Sequence, residues 1–395
     1  MRRLLPFALS GLVLLSACGS TPQAAAPATA APAAEATTPA TAAPATAPAA
    51  EATAAPAAEA TMPAATTAAA QADLTTVKAY LLDNVAKLKG STAELVTASS
   101  AYYDMAKAAN FDYAALWKAD PKATQAAVEK ARDAWKLASP GYEKIEGLVA
   151  GVPTLADYDV ILDAGASAEE GGDSVVPFDL SLPDGRTLAK PGNLFGVTEK
   201  SLWGTEKAYT APAEADFDGD GKITFGEALP DANVLKAGAE ALDRYTGELS
   251  VAAQNWQPSE SDAFTALVVM VPTMNEYFES WKNSRFVAGD ASTQGDFVAI
   301  SRLADMQDIL SGLEVVYGGI SPLVDTVDAA QSKQIGSDLT GLRSFIADIY
   351  TKEQGGQKFT AEDADLLGAE AQNRATAITG QISQVAAKLN VSIQE

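Results

Sequence analysis

The chain has no histidine anywhere in its 395 residues. That removes histidine general bases, the Ser-His-Asp triad and the usual zinc-protease motifs. Cysteine occurs once, at Cys18, so intramolecular disulfides and cysteine-based zinc sites are excluded as well. Beyond the N-terminal segment no apolar run is long enough for a transmembrane helix. Basic residues are scarce: 28 Lys and Arg stand against 51 Asp and Glu, a formal charge of −23. This balance disfavours nucleic acid and anionic membrane surfaces and suits cations as partners.

The N-terminus points to a compartment. Arg2 and Arg3 precede an apolar stretch from Leu4 to Leu15, too short to span a bilayer stably. Leu15-Ser16-Ala17-Cys18 then resembles a bacterial lipobox, so residues 1–18 read as a lipoprotein signal peptide and Cys18 as the lipidated residue. Residues 19–72 are almost entirely Ala, Pro and Thr, with APAAEAT recurring at Ala31, Ala47 and Ala55. Such a stretch has too little bulky apolar surface to offset chain entropy, and is expected to be a disordered tether. As a flexible coil it reaches roughly 40 Å. The expected location is the bacterial cell envelope, extracytoplasmic, with the lipid anchor as the only membrane contact.

The strongest motif present is DFDGDGKITFGE, Asp216 to Glu227, which matches the twelve-position EF-hand calcium loop. Asp216, Asp218 and Asp220 fill positions 1, 3 and 5 with carboxylates, and Lys222 offers its backbone carbonyl at position 7. Thr224 at position 9 ligates directly or through water, and Glu227 at position 12 closes the shell bidentately. Gly221 sits at position 6, where the chain turns sharply and a Cβ is expected to clash. The cofactor expected here is Ca2+, bound at about 10⁻⁴ to 10⁻³ M as in extracellular modules. Pro212 ends any entering helix early, and the loop stands alone, so it reads as a structural clip rather than a sensor.

Residues 73–395 read as an all-α domain of antiparallel helical bundles in two lobes. Val77, Tyr80, Leu81, Val85 and Leu88 form one apolar stripe. Phe264, Leu267, Val268, Val271, Met274, Phe278 and Trp281 form another, with Ser259 and Asp262 as its cap and Pro272 predicting a kink. Leu303, Met306, Leu310, Leu313 and Tyr317 make a third, and Ile378, Ile382, Val385 and Leu389 a fourth, after a cap at Thr360. Residues 151–230 form an irregular insert whose one clear hairpin signal is Phe178, Leu180 and Leu182 followed by Pro183-Asp184-Gly185.

Two short segments carry a family resemblance. Tyr142-Glu143-Lys144-Ile145-Glu146 resembles a YERIE helix, and Glu199-Lys200-Ser201-Leu202-Trp203-Gly204 resembles the end of an HxxEKxLW motif. Both belong to the imelysin-like family, especially its periplasmic iron-uptake members of the EfeO/EfeM type. The resemblance implies a helical fold and metal ligands at the HxxE pair and the YERIE glutamates. Glu199 matches the HxxE glutamate, Glu143 and Glu146 match the two YERIE glutamates, and the histidine position falls on Gly196. A site built only of carboxylates prefers hard cations, here calcium, manganese or ferric iron. Read from the residues alone, Ser139-Pro140 resembles a helix start that would put Glu143 and Glu146 near the positive dipole end. That reading fits a solvated acidic face as well as a metal site. Of Asp157, Asp159 and Asp163, turn and cap residues by local chemistry, Asp163 is the first choice to complete a carboxylate cluster.

Three functions follow as expectations. The first is a surface-anchored module that binds calcium in the loop and a second cation among Glu143, Glu146, Asp163 and Glu199, serving metal or iron acquisition. The second is a calcium-stabilised adhesion or scaffold protein. The third is a peptidase of the imelysin type, which the missing histidine and cysteine ligands disfavour.

Overall fold

The stripe beginning at Val77 becomes one face of a long helix. The computed structural model describes residues 71–394, in which Leu74–Ala108 forms α1 with Val77, Leu81, Val85 and Leu88 all buried. A short helix, α2 (Tyr113–Ala119), leads to α3 (Pro121–Val149). Asp120 caps α3 by accepting the N–H of Ala123 at 2.9 Å, and Pro121 opens the first turn, where its missing N–H costs nothing. The Ser139-Pro140 expectation is therefore corrected: Pro140 lies inside α3, and Glu143 and Glu146 fall in its last two turns. The helix dipole there is unfavourable to carboxylates, the reverse of the expected sign.

Residues 151–230 are irregular only in part. After α4 (Ala156–Asp159) the chain makes one π-helical turn, Val160–Ala164. Strands β1 (Leu180–Ser181) and β2 (Thr187–Leu188) pair antiparallel across Pro183-Asp184-Gly185. Helix α5 (Leu194–Trp203) follows, capped by Asn193 and ended by Gly204 in the left-handed region. A second antiparallel pair, β3 (Thr210–Glu214) with β4 (Ala228–Pro230), gave no recognised sequence signal. Loop 216–227 closes this pair, so the calcium motif is flanked by strands, not by an entering and an exiting helix.

The rest is helical. Helix α6 (Ala232–Asn255) lies against α1 and α5. Helix α7 (Glu260–Met270) starts at the expected Ser259–Asp262 capping box, and Pro272 breaks the stripe into a 3₁₀ turn before α8 (Met274–Asn283). A one-turn helix, α9 (Arg285–Ala288), precedes the loop to α10 (Arg302–Gln354). Helix α10 is interrupted at Asp328, whose φ of −162° and ψ of 101° are extended. The side chain of Asp328 accepts the N–H groups of Ala330 and Gln331, capping a second arm. The two arms run back along each other, since Glu314 pairs with Arg343 at 3.0 Å and the Tyr317 hydroxyl donates to the Ser332 carbonyl. Helix α11 (Ala361–Leu389) opens with the expected Thr360 capping box, here with Asp363.

The first arm of α10 packs on α1 and α3, and α11 packs on α8 and α10. Among the described residues the fold is all-α with two small strand pairs. Among the described residues no helix is long and apolar enough to cross a membrane. The signal segment with Cys18 and nearly all of the Ala/Pro/Thr stretch lie outside the described residues.

Candidate metal centre

Glu143 and Glu146 sit one turn apart on α3, and Asp163 reaches them from the π-helical turn. That turn depends on Gly165: a Cβ there would lie 2.0 Å from the Val160 carbonyl oxygen. The tight closure aims Asp163 inward, and one carboxylate oxygen from each of the three residues lies within 4.8 Å of the others. All three are buried, Glu143 to 2% exposure and Glu146 to 3%. Asp157, by contrast, is exposed, and Asp159 accepts the Tyr142 hydroxyl at 2.7 Å.

The structure adds partners from distant elements. Arg302 at the start of α10 bonds Asp305 at 2.9 Å and stands 3.8 Å from Glu143. Its guanidinium carbon lies 4.4 Å from the Tyr277 ring centroid and 3.8 Å from that of Phe297. The Tyr277 hydroxyl donates to Glu146 Oε1. Glu143 Oε2, Glu146 Oε2 and Arg302 Nε are buried with no hydrogen-bond partner among the described residues. A cleft of about 420 Å³ runs over this floor, lined by Glu146, Asp159, Asp163, Tyr277, Phe297 and Arg302 and rimmed by the exposed Glu276.

Five carboxylates thus share one guanidinium. Burial, followed by the charges of Asp305, Glu146 and Asp163, pushes the Glu143 carboxyl well up, and Arg302 only partly opposes this. Burial and then Glu146 raise Asp163 well above the usual range. Burial likewise lifts Asp159 to about 7 and Asp305 to about 6. Carboxyls in this state hold protons that a metal cation can replace.

The 216–227 loop is built differently. One carboxylate oxygen each from Asp216, Asp218 and Glu227 converges within 4.8 Å. Asp220 accepts the Lys222 N–H instead, and Thr224 donates both its N–H and its hydroxyl to Glu227 Oε2. The other Glu227 oxygen takes the N–H groups of Phe217 and Asp218, and these bonds, that of Thr224 first, hold the carboxyl below its ordinary value. Gly221 has φ +82°, and a Cβ placed on it would meet nothing within 4 Å. The expected clash is therefore corrected: the conformation of Gly221, not crowding, calls for glycine. Arg132 of α3 donates to the Gly226 carbonyl and, at 2.8 Å, to that of Leu202, tying the loop to α5.

The Imelysin family pattern matches residues 28–385. The chain belongs to the imelysin family. A solved structure, described as a putative iron-regulated protein A precursor from Parabacteroides distasonis ATCC 8503, is similar at 16% identity. The match covers 82% of this imelysin and 98% of that chain, with a TM-score of 0.45. No curated protein matches.

Glu199, the residue aligned with the family's HxxE glutamate, does not join the cluster. Its Oε2 accepts the Phe297 N–H at 2.7 Å, and its Oε1 accepts those of Val298 and Ala299 at 2.9 Å each. Burial, helped by the charge of Asp296, raises this carboxyl to about 8, although the three N–H donors favour the carboxylate. Gly196 is buried in the first turn of α5, beside a void of about 10 Å³. An HxxE metal pair therefore does not fit this imelysin, whereas the three-carboxylate cluster fits a hard cation. Sequence reasoning missed Arg302, Asp305 and Tyr277; the Arg-x-x-Asp spacing at the start of α10 was the only local signal.

Proposed function

We propose that this imelysin is an extracytoplasmic, lipid-anchored metal-binding protein with two unlike cation sites. A hard cation, manganese or iron, occupies Glu143, Glu146 and Asp163, and calcium occupies the 216–227 loop through Asp216, Asp218, Asp220, the Lys222 backbone carbonyl, Thr224 and Glu227. The observation that carries the reading is the buried convergence of three carboxylates with two unbonded oxygens at the floor of a cleft. Unpartnered buried carboxylate oxygens cost free energy that a cation relieves. The family resemblance makes iron the first cargo to test.

The test is metal analysis and titration calorimetry on the full chain purified without chelator. Two separable binding events are expected, one lost in Glu227→Gln and the other in Glu146→Gln. Calcium alone, with no change in Glu146→Gln, would remove the buried site.

A further inference from the structure

The buried cluster already contains a cation of its own, and the way that cation is held is unusual. Arg302 keeps a close bond to Asp305 at 2.9 Å but only a loose one to Glu143 at 3.8 Å, and its Nε has no partner among the described residues. Two aromatic faces, Tyr277 and Phe297, flank the guanidinium, an arrangement that holds a desolvated cation in place beside the carboxylates. Phe297 reaches this position with φ +52°, a left-handed conformation that bulky side chains avoid. Such strain persists only where neighbours enforce it. The enforcing neighbour is Glu199, whose two oxygens take the N–H groups of Phe297, Val298 and Ala299. These residues lead directly into Ser301, which caps α10, and into Arg302 itself.

We infer that Arg302 is a resident counter-ion that competes with the incoming metal, and that Glu199 is the positioning residue that holds it in place through Phe297. An entering cation takes over the Glu143 carboxylate and leaves Arg302 to Asp305. Glu199 thus governs cation affinity without touching the cation. This inference rests on the proposed buried cation site.

The experiment is Mn2+ titration of the full chain in a Glu227→Gln background, which disables the loop. Arg302→Met is expected to bind Mn2+ about tenfold tighter, because a repelling charge a few ångströms away is gone. Phe297→Gly relieves the strain and removes one ring of the sandwich while leaving every charge in place. It is expected to bind about threefold tighter. Glu199→Gln, whose amide nitrogen cannot accept an N–H, should shift affinity in the same direction. Tighter binding is a readout that general loosening of the fold does not produce. If the parent protein does not bind and Arg302→Met does, the competition is supported in its strongest form. If the parent binds and neither Arg302→Met nor Phe297→Gly binds more tightly, the competition is overturned and the cation site stands. If none of the proteins binds, both readings fall. Should Arg302→Met not fold, Phe297→Gly alone decides by the same criterion.

Discussion

Two acidic regions of this imelysin gather the same kind of ligand in opposite surroundings. Glu143, Glu146 and Asp163 are buried, share one guanidinium and leave two oxygens without partners among the described residues. Asp216, Asp218 and Glu227 lie in a loop whose own N–H groups bond their oxygens. Burial raises the carboxyls of Glu143 and Asp163 in the first group, and hydrogen bonds lower that of Glu227 in the second. Counting carboxylates therefore says little about a site. The cost of ionising them decides whether a cation would serve charge balance, as proposed for the cluster, or shape, as proposed for the loop.

The largest expected effect tests the charge balance. Arg302→Met should destabilise the metal-free protein by about 3–5 kcal/mol at pH 8, since it strands buried carboxylates. Urea denaturation measures this, and the loss should shrink at pH 5, where those carboxyls hold protons. A loss under about 1 kcal/mol at both pH values would mean that the cluster does not rely on Arg302.

A smaller effect separates the two regions by sign. The folded protein holds protons on Asp159 and Asp305, with values of about 7 and 6, that the unfolded chain releases near its ordinary carboxylate range. The folded state binds more protons in that window, so metal-free stability should fall as pH rises from about 4 to 7. Glu227 contributes the other way: its lowered value adds stability above the ordinary range that is lost as pH falls. Asp159→Asn should flatten the high-pH decline, and Glu227→Gln the low-pH one. A stability curve flat from pH 5 to 8 would break the contrast.

How much of this was legible in the sequence follows from the range of the interactions. Helix-period stripes and the caps at Ser259 and Thr360 are local, and each appears where the spacing puts it. Pro272 breaks its helix as expected, but Pro140 does not, because α3 is packed along its length by α1 and α10. The triad of Glu143, Glu146 and Asp163 spans only a short stretch of chain, so it could be named in advance. Arg302 and Asp305 come from far along the chain and could not. Glu199 shows a different limit: a sequence does not distinguish a glutamate that ligates a metal from one that takes three backbone N–H groups.

Calcium should act on the loop without much effect on the cluster. At tenfold excess over a dissociation constant of about 10⁻³ M it adds about 1.4 kcal/mol, or roughly 2 °C in Tm for a domain this size. Limited proteolysis should show protection confined to residues near 216–227. Protection spreading to residues 297–302 would mean that Arg132, which bonds both Gly226 and Leu202, carries the effect along α5.

The smallest effect sharpens what the loop asks of its sequence. Gly221 has φ +82° with open space around it, whereas a Cβ at Gly147 beside the buried cluster would come within 2.9 Å of the Leu313 side chain. Gly221→Ala therefore carries only a conformational penalty, about 1 kcal/mol, and should weaken calcium about fivefold. Asparagine tolerates the left-handed region better than alanine, so Gly221→Asn should recover part of that loss. Gly147→Ala carries the opposite kind of penalty, overpacking, and should lower global stability with no change in calcium affinity. Equal effects of the alanine and asparagine variants at 221 would show that the loop changes its backbone when calcium binds, so that the left-handed turn at Gly221 is not the conformation the ion selects.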